Sequence, residues 1–155
     1  MKDFFLKLIK KILGIENLTL DFDSPIEKTP YGLMVSWDKR INPSDKDKTF
    51  YYGQLDTRIT STIGCLKNLG FDKIDQKIVK EYRVFIVPKK FECPSKDHFS
   101  CSGYFDVNYL NKGKILILKL GNKSQPFPLY EHELAHVYGA LASDHSNQNK
   151  LTFCI

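Results

Sequence analysis

The strongest local constraint on the fold of this chain comes from residues 131–139, which read Glu-His-Glu-Leu-Ala-His-Val-Tyr-Gly. Apolar side chains recur there and just beyond at the i, i+3, i+4 and i+7 positions of an amphipathic helix. These positions are Leu134, Val137, Tyr138 and Leu141. His132 and His136 are four residues apart, so a helix holds them on one face, one turn above the other. We expect that face to lie opposite the apolar one, with both imidazoles pointing away from the core.

Two imidazoles on successive turns of a helix can bind one metal ion, and the neighbouring residues favour zinc. The chain has four histidines, and three of them, His132, His136 and His145, fall in its last quarter. Glu133 lies about 100° further round the helix than His132, where its carboxylate can reach a water molecule on the metal. Zinc lowers the pKa of such a water to about 7, and a nearby carboxylate can then accept its proton. We therefore predict a Zn²⁺ site at His132 and His136, with Glu133 as the catalytic base.

The His-Glu-x-x-His sequence of residues 132–136 resembles the signature of zincin-type zinc metallopeptidases, and the resemblance is specific over residues 129–139. It implies hydrolysis of peptide bonds in a peptide or protein substrate that lies beside an edge strand. The same residues also suit a non-enzymatic zinc-binding domain acting as a binding or structural module, in which a fourth ligand would close the site. Four tyrosines are candidates to stabilise an oxyanion, and no motif selects among them. They are Tyr104, Tyr109, Tyr130 and Tyr138.

A catalytic zinc ion usually has three protein ligands, and we expect the third to follow the helix. No glutamate occurs after Glu133, which excludes a downstream glutamate ligand within this chain. The zincin spacing His-x-x-Gly-x-x-His is matched as far as Gly139, but Ala142 stands at its last position. Gly139 can adopt a positive φ that ends the helix and turns the chain back. We predict His145 as the third ligand because imidazole is the commonest metal ligand, with Asp144 as its supporting residue or as the alternative ligand.

Length and composition predict a single globular domain over residues 15–155. The chain has 155 residues and is 42% hydrophobic, which is enough to form a core. The net charge of +5 comes with lysines spread along the chain. This spread indicates a solvated surface and no nucleic-acid partner. No stretch of the sequence is long and apolar enough to span a membrane.

Residues 1–14 are predicted to form a separate basic amphipathic helix that ends at Gly14. Its apolar and basic side chains segregate to different faces. The first face holds Phe5, Leu8, Ile9 and Ile12, and the second holds Lys7, Lys10 and Lys11. Lysines interrupt the apolar segment and no small-residue cleavage site follows it, so we do not expect a secretory signal. Such a helix either packs on its own domain or makes peripheral contact with an anionic membrane.

An even number of cysteines, two of them close together, predicts two disulfides. The four are Cys65, Cys93, Cys101 and Cys154. A bond between Cys93 and Cys101 would close a short loop. The competing prediction is a structural zinc site at Cys93, His98 and Cys101, with Cys65 or Cys154 as fourth ligand, but its spacing is uncommon. Disulfides imply an oxidising compartment, whereas the missing signal suggests the cytoplasm or non-standard export, so the localisation stays open.

The order of hydrophobic patterns predicts an α+β fold, with backing helices on one side of a small mixed sheet. Strands are expected at residues 33–37 and 82–87, with a weaker one at 18–22. A polar loop is predicted at 38–49 and a long helix at 54–69. Residues 104–110 and 114–120 flank Asn-Lys-Gly, which indicates a hairpin just before the zinc helix. One strand of this hairpin is the candidate edge strand.

Overall fold

A mixed five-stranded β-sheet organises the part of the chain that the structure describes. The structure is a computed structural model, and it describes residues 1–96 and 98–155. The strands are β1 (Glu27–Lys28), β2 (Met34–Trp37), β3 (Arg83–Val87), β4 (Gly103–Asp106) and β5 (Ile115–Lys119). They are ordered β1-β2-β3-β5-β4 across the sheet. The pairs β2–β3 and β3–β5 are parallel, whereas β1–β2 and β4–β5 are antiparallel.

Helices complete the α+β class that the sequence predicts. The three α-helices are α1 (Lys2–Ile12), α2 (Asp45–Asn68) and α3 (Tyr130–Val137). Short 3₁₀ segments occur at Gln76–Glu81, Tyr109–Asn111 and Gln148–Leu151. Helix α2 connects the parallel strands β2 and β3, as a parallel crossover requires. The fold is therefore α+β, with a long helix inserted between two strands of a mixed sheet.

The two central strands are apolar on both faces because each face of the sheet is covered. Alternate residues of β3 and β5 pack with α2 and α3 in one cluster, which includes Val84, Leu116 and Leu134. The intervening residues, such as Phe85 and Ile117, pack with residues of the 18–22 segment on the other face. The weak strand predicted at 18–22 is wrong, because that segment covers the sheet by side-chain packing and no strand is assigned to it.

Helix α2 begins at Asp45, so the loop predicted as far as residue 49 is too long and the helix predicted from residue 54 starts too late. Ser44 caps the helix, since its side chain accepts the Asp47 N–H at 3.1 Å. Asp45 and Asp47 also place negative charge in the first turn, where the helix dipole favours it. Tyr51, one turn further on, is buried in the core. The first turns of α2 are polar because their residues cap the helix or lie on its exposed face.

Strand β4 forms one edge of the sheet. It pairs with β5 through Tyr104 opposite Ile117, so the predicted hairpin is confirmed, although both strands are shorter than the sequence pattern indicates. The connection contains Leu110 and Asn111 with φ of 48° and 58°, and Gly113 with φ of 114°. Helix α3 lies against β4. The residues predicted to bind metal therefore sit beside a free strand edge.

All four cysteines form disulfides, in the two pairs Cys65–Cys154 and Cys93–Cys101. We call the first the tail disulfide, because it ties α2 to residue 154, and the second the loop disulfide. The competing structural zinc site at Cys93, His98 and Cys101 is wrong, since the two sulfurs are bonded to each other. Two disulfides are compatible with an oxidising compartment. Across the described residues, the structure contains no helix that is both long and apolar enough to cross a membrane.

Candidate metal centre

The centre is built on α3, whose position is set by contacts at its start. Arg58 of α2 donates from Nη1 to the Phe127 carbonyl at 2.7 Å, and its Nε lies 3.4 Å from Oε1 of Glu131. Leu134, on the side of α3 away from His132 and His136, is fully buried in the core. The helix is therefore fixed by its start and by its apolar side, and His132 and His136 lie on successive turns as predicted.

The chain turns back directly after α3. Gly139 adopts a φ of 71°, and the N–H groups of Ala140 and Leu141 both donate to the Ala135 carbonyl, at 2.9 and 3.0 Å. The positive φ expected of Gly139 is confirmed, and a glycine accepts this conformation without a steric penalty. The turn brings the following loop back across the end of the helix.

Asn147 holds that loop in place. Its Oδ1 accepts the Ala142 N–H at 2.8 Å, and its Nδ2 donates to the Ala140 carbonyl at 2.7 Å. His145 lies inside the loop and has a φ of 60°, which is uncommon for a residue other than glycine. Backbone strain of this kind persists only where the surroundings impose it. The two hydrogen bonds of Asn147 supply such a constraint.

Three imidazoles converge at the point where this loop meets α3. The Nε2 atom of His145 lies 3.0 Å from Nε2 of His132 and 3.1 Å from Nε2 of His136. The three ring centroids are separated by 4.8 to 5.0 Å, so the rings form a nearly equilateral triangle. These three histidines could hold a metal ion, because one ligand atom from each lies within 4.8 Å of the others.

The donor set fits a small divalent cation. Three nitrogens at about 2.0–2.1 Å from one tetrahedral ion lie roughly 3.3 Å apart. This is close to the 3.0 and 3.1 Å that separate Nε2 of His145 from Nε2 of His132 and of His136. The Nδ1 atom of His136 donates to the Leu141 carbonyl at 3.2 Å, which leaves its Nε2 as a lone-pair donor. Metal-binding histidines commonly make this second hydrogen bond, because it fixes the tautomer and the ring orientation.

His136 is more enclosed than the helical pattern predicts. Its side chain is buried, and its ring stacks on Phe105 with the centroids 4.8 Å apart and the planes 10° apart. The sequence pattern predicted that this imidazole points away from the core, but it did not predict burial against the edge strand. The sequence could not indicate the contact, because Phe105 lies on β4, thirty-one residues earlier (136 minus 105).

Glu133 lies against the edge strand. It is buried, and Gly103 of β4 passes so close that a Cβ there would lie 2.8 Å from Oε1 of Glu133. The same Cβ would lie 3.1 Å from Cβ of Leu129. A glycine at position 103 is thus required by space, and this residue was not identified from the sequence. Gly103 lies where a loop meets a strand, and no sequence pattern there indicates a role in the site.

Burial governs the protonation of these groups. It lowers the pKa of His136 to about 4, with further contributions from His132 and His145, and it also lowers the pKa of His132. Both imidazoles are therefore neutral at neutral pH, which is the form that binds metals. Burial raises the pKa of Glu133 to about 8. A cation among the imidazoles would oppose that shift, because nearby positive charge favours the carboxylate.

Comparisons with protein-family models, curated proteins and solved structures give no match to this chain. The similarity of residues 132–136 to the zincin signature therefore rests on these residues and on their arrangement in the structure.

Two other residues considered as metal ligands, Asp144 and His98, lie outside the centre. Asp144 is exposed, and its Oδ1 accepts the Ser146 N–H at 3.0 Å. It is not in the described group of three metal-capable side chains. His98, in the loop closed by the loop disulfide, has its ring centroid 6.2 Å from that of His145. His98 therefore lies beside the cluster but outside it.

Among the candidate tyrosines, Tyr104 lies on β4, the edge strand that contacts α3. Its pKa is raised to about 12, chiefly by burial, and the charges of Asp106 and Glu133 contribute. Its hydroxyl donates to Oδ2 of Asp106 at 3.3 Å. Tyr130, by contrast, is fully buried in the core beneath α3.

Proposed function

We propose that this chain is a zinc-dependent metallopeptidase of the zincin type. The observation that carries the proposal is the convergence of three Nε2 atoms from His132, His136 and His145 beside a buried glutamate. Three imidazoles make a ligand set typical of zinc, and three protein ligands leave a fourth position for chemistry. Glu133 follows the first ligand directly, as the reaction requires of a base on the same helix.

The roles of the side chains follow from their positions. His132, His136 and His145 would hold the zinc ion, which when bound would supply a Lewis acid for a peptide carbonyl and lower the pKa of a bound water molecule. Glu133 accepts a proton from the attacking water and delivers it to the leaving nitrogen. The Leu141 carbonyl orients His136, and Asn147 orients the loop of His145. Phe105 shields one side of the His136 ring from solvent.

The edge strand β4 (Gly103–Asp106) is suited to bind the substrate. It lies at the end of the sheet order and next to α3. An extended peptide can add to such an edge through main-chain hydrogen bonds. With Gly103 against Glu133, a peptide aligned on β4 brings its main chain alongside the base. The substrate class is accordingly an extended polypeptide.

The non-enzymatic alternative requires a fourth protein ligand, and Asp144 is the residue suggested for it. Because its carboxylate is exposed and accepts the Ser146 N–H, no observation favours that assignment. Binding of acetohydroxamate to the zinc-loaded chain distinguishes the two functions, since only an open coordination position admits it. We expect binding, and exclusion of acetohydroxamate would favour the closed module.

The central test is Glu133→Gln, with Glu131→Gln as the matched control on the same helix. Zinc content measured by mass spectrometry and cleavage of a peptide library are the two readouts. We expect Glu133→Gln to keep zinc and lose cleavage by at least about 100-fold, the effect of removing a general base. Glu131→Gln should keep both, because glutamine retains an oxygen that can accept from Arg58. Cleavage by Glu133→Gln at the wild-type rate would refute the mechanism.

The third ligand is tested by comparing His145→Ala with Asp144→Ala. Loss of a supporting residue costs about 10- to 100-fold in metal affinity, so loss of a direct ligand should exceed that range. We expect His145→Ala to do so in a chelator competition assay, and Asp144→Ala to bind zinc as the wild type does. The opposite ranking would reassign the ligand.

A further inference from the structure

Helix α1 (Lys2–Ile12) presents an apolar face that its own domain does not cover. Phe4 and Ile12 are each 73% exposed, Phe5 is 64% exposed and Leu8 is 43% exposed. No residue of α1, all of which the structure describes, is buried. The alternative in which this helix packs its apolar face on the domain is therefore wrong. A face of this kind on an otherwise well-packed chain indicates a surface that contacts something else.

The direction of the exposed face is set by how α1 is attached. After Gly14, with φ of 70°, Ile15 is buried and Glu16 exchanges backbone hydrogen bonds with Lys90 and Glu92. Lys10 of α1 also forms an ion pair with Glu92 of the domain, with Nζ of Lys10 lying 3.0 Å from Oε1 of Glu92. The side of α1 that carries Lys10 therefore faces the domain, Ile9 is half-buried, and the exposed residues Phe4, Phe5, Leu8 and Ile12 face outward.

The charges around the apolar face select among possible occupants. Lys2, Lys7 and Lys11 are exposed, and Asp3 is the acidic residue of the helix. Lys7 and Lys11 are four residues apart and therefore border the apolar face together. A second copy of the helix would bring like charges together, which is unfavourable. An anionic lipid surface accommodates both the apolar residues and the lysines.

We propose that α1 binds the surface of an anionic lipid bilayer. The helix lies in the plane of the interface, with Phe4, Phe5, Leu8 and Ile12 among the upper acyl segments and the lysines at the headgroups. Each lysine near an anionic surface strengthens binding by about five-fold. This inference does not depend on the proposed peptidase activity.

Binding through α1 would also keep the histidine cluster near the lipid. Nζ of Lys10 lies 5.4 Å from the ring centroid of Phe99, in the loop closed by the loop disulfide. The neighbouring His98 faces His145 across 6.2 Å between ring centroids. One loop therefore touches both the lipid-binding helix and the candidate metal centre.

The test is co-sedimentation of the full chain with vesicles of phosphatidylcholine alone and with vesicles of equal parts phosphatidylcholine and phosphatidylserine. One variant, Phe4→Ser with Ile12→Ser, removes apolar area, and another, Lys7→Gln with Lys11→Gln, removes charge. Phe153→Ser is the matched control, because Phe153 is 95% exposed but lies outside α1. Urea unfolding of each variant checks that the domain remains folded.

We expect the wild type to prefer the vesicles with phosphatidylserine. The apolar variant should lose at least about ten-fold in binding to them, and the charge variant about 25-fold, with little change on phosphatidylcholine. Phe153→Ser and Glu133→Gln should bind as the wild type does, which separates this inference from the peptidase proposal. Equal binding by the wild type and the apolar variant would overturn it. Vesicle-independent dimers that the apolar variant abolishes would instead assign the face to a second copy.

Discussion

The substitution Gly103→Ala tests the contact between the edge strand and Glu133, the residue proposed as the catalytic base. An added Cβ would lie 2.8 Å from Oε1 of Glu133, 3.0 Å from its Cγ and 3.1 Å from Cβ of Leu129. The first two atoms belong to a side chain that can rotate, but Cβ of Leu129 is fixed by its backbone. Alanine is therefore accommodated only if the Glu133 side chain moves and β4 also shifts by a few tenths of an ångström away from Leu129.

The geometry sets the size of the expected effect. Overpacking by one methyl group in a close-packed region costs about 1–3 kcal/mol of unfolding free energy. A displacement of about 1 Å at a catalytic group reduces turnover by roughly 100-fold. Zinc affinity should change little, because the atoms that Gly103 crowds are not zinc-binding nitrogens. Gly103→Ala should thus separate turnover from metal binding.

The assay compares wild type, Gly103→Ala and Gly53→Ala by urea unfolding, zinc content and cleavage of a peptide library. Gly53 lies on the exposed side of α2, and a Cβ there meets no atom of the described structure within 4 Å. Alanine at 53 should raise stability by about 0.5–1 kcal/mol, because glycine is a poor helix former. Wild-type stability and cleavage in Gly103→Ala would refute the close approach of β4 to Glu133. If Glu133→Ala restores stability to Gly103→Ala in a double-mutant cycle, the contact is direct.

Three further predictions concern the supports of the centre and of the fold. Asn147→Ala should weaken zinc binding by about 10- to 100-fold in chelator competition. The reason is that the loop of His145 loses both hydrogen bonds that hold it. Unchanged zinc affinity would show that the loop keeps its conformation without Asn147. Replacing both cysteines of the tail disulfide by serine should lower the free energy of unfolding by up to about 4.6 kcal/mol, because that bond spans 89 residues. The same replacement in the loop disulfide should lower it by up to about 2.5 kcal/mol, because that bond spans 8 residues. The reverse order in urea unfolding would contradict this. A hydrogen bond from Arg40 lowers the pKa of Asp38 in the folded protein below its ordinary value of 3.8. The ionised Asp38 therefore stabilises the fold at pH values above 3.8, and this stabilisation is lost as the pH falls through the lowered pKa. Asp38→Asn should therefore be less stable than wild type at pH 7 and should lose less stability on acidification, and parallel curves of stability against pH would argue against this.

The local features of the centre could be predicted because they depend on short sequence windows. The spacing of His132 and His136 places both on one face of any helix, and Gly139 permits the positive φ that ends it. The continuous apolar segments of β3 and β5 likewise indicate buried central strands. Each of these features depends on backbone geometry that repeats every few residues.

Other features depend on capping and on contacts that sequence spacing does not encode. The start of α2 was missed because its first turns are polar and are stabilised by the Ser44 cap and by packing of Tyr51. The exposure of α1 likewise could not be read from its amphipathic pattern, since the same pattern serves a helix packed on a domain and a helix packed on lipid.

The sequence alone determines which residues can bind a metal ion and that two of them share a helical turn. Only the tertiary structure decides that His145 joins them while Asp144 does not, that Phe105 stacks on His136, and that Gly103 lies against Glu133. The physical reason is that these contacts join residues from separate elements. The distances between these residues follow from the order of strands in the sheet and from the path of the chain after α3. Neither the strand order nor this path produces a periodic pattern in the sequence.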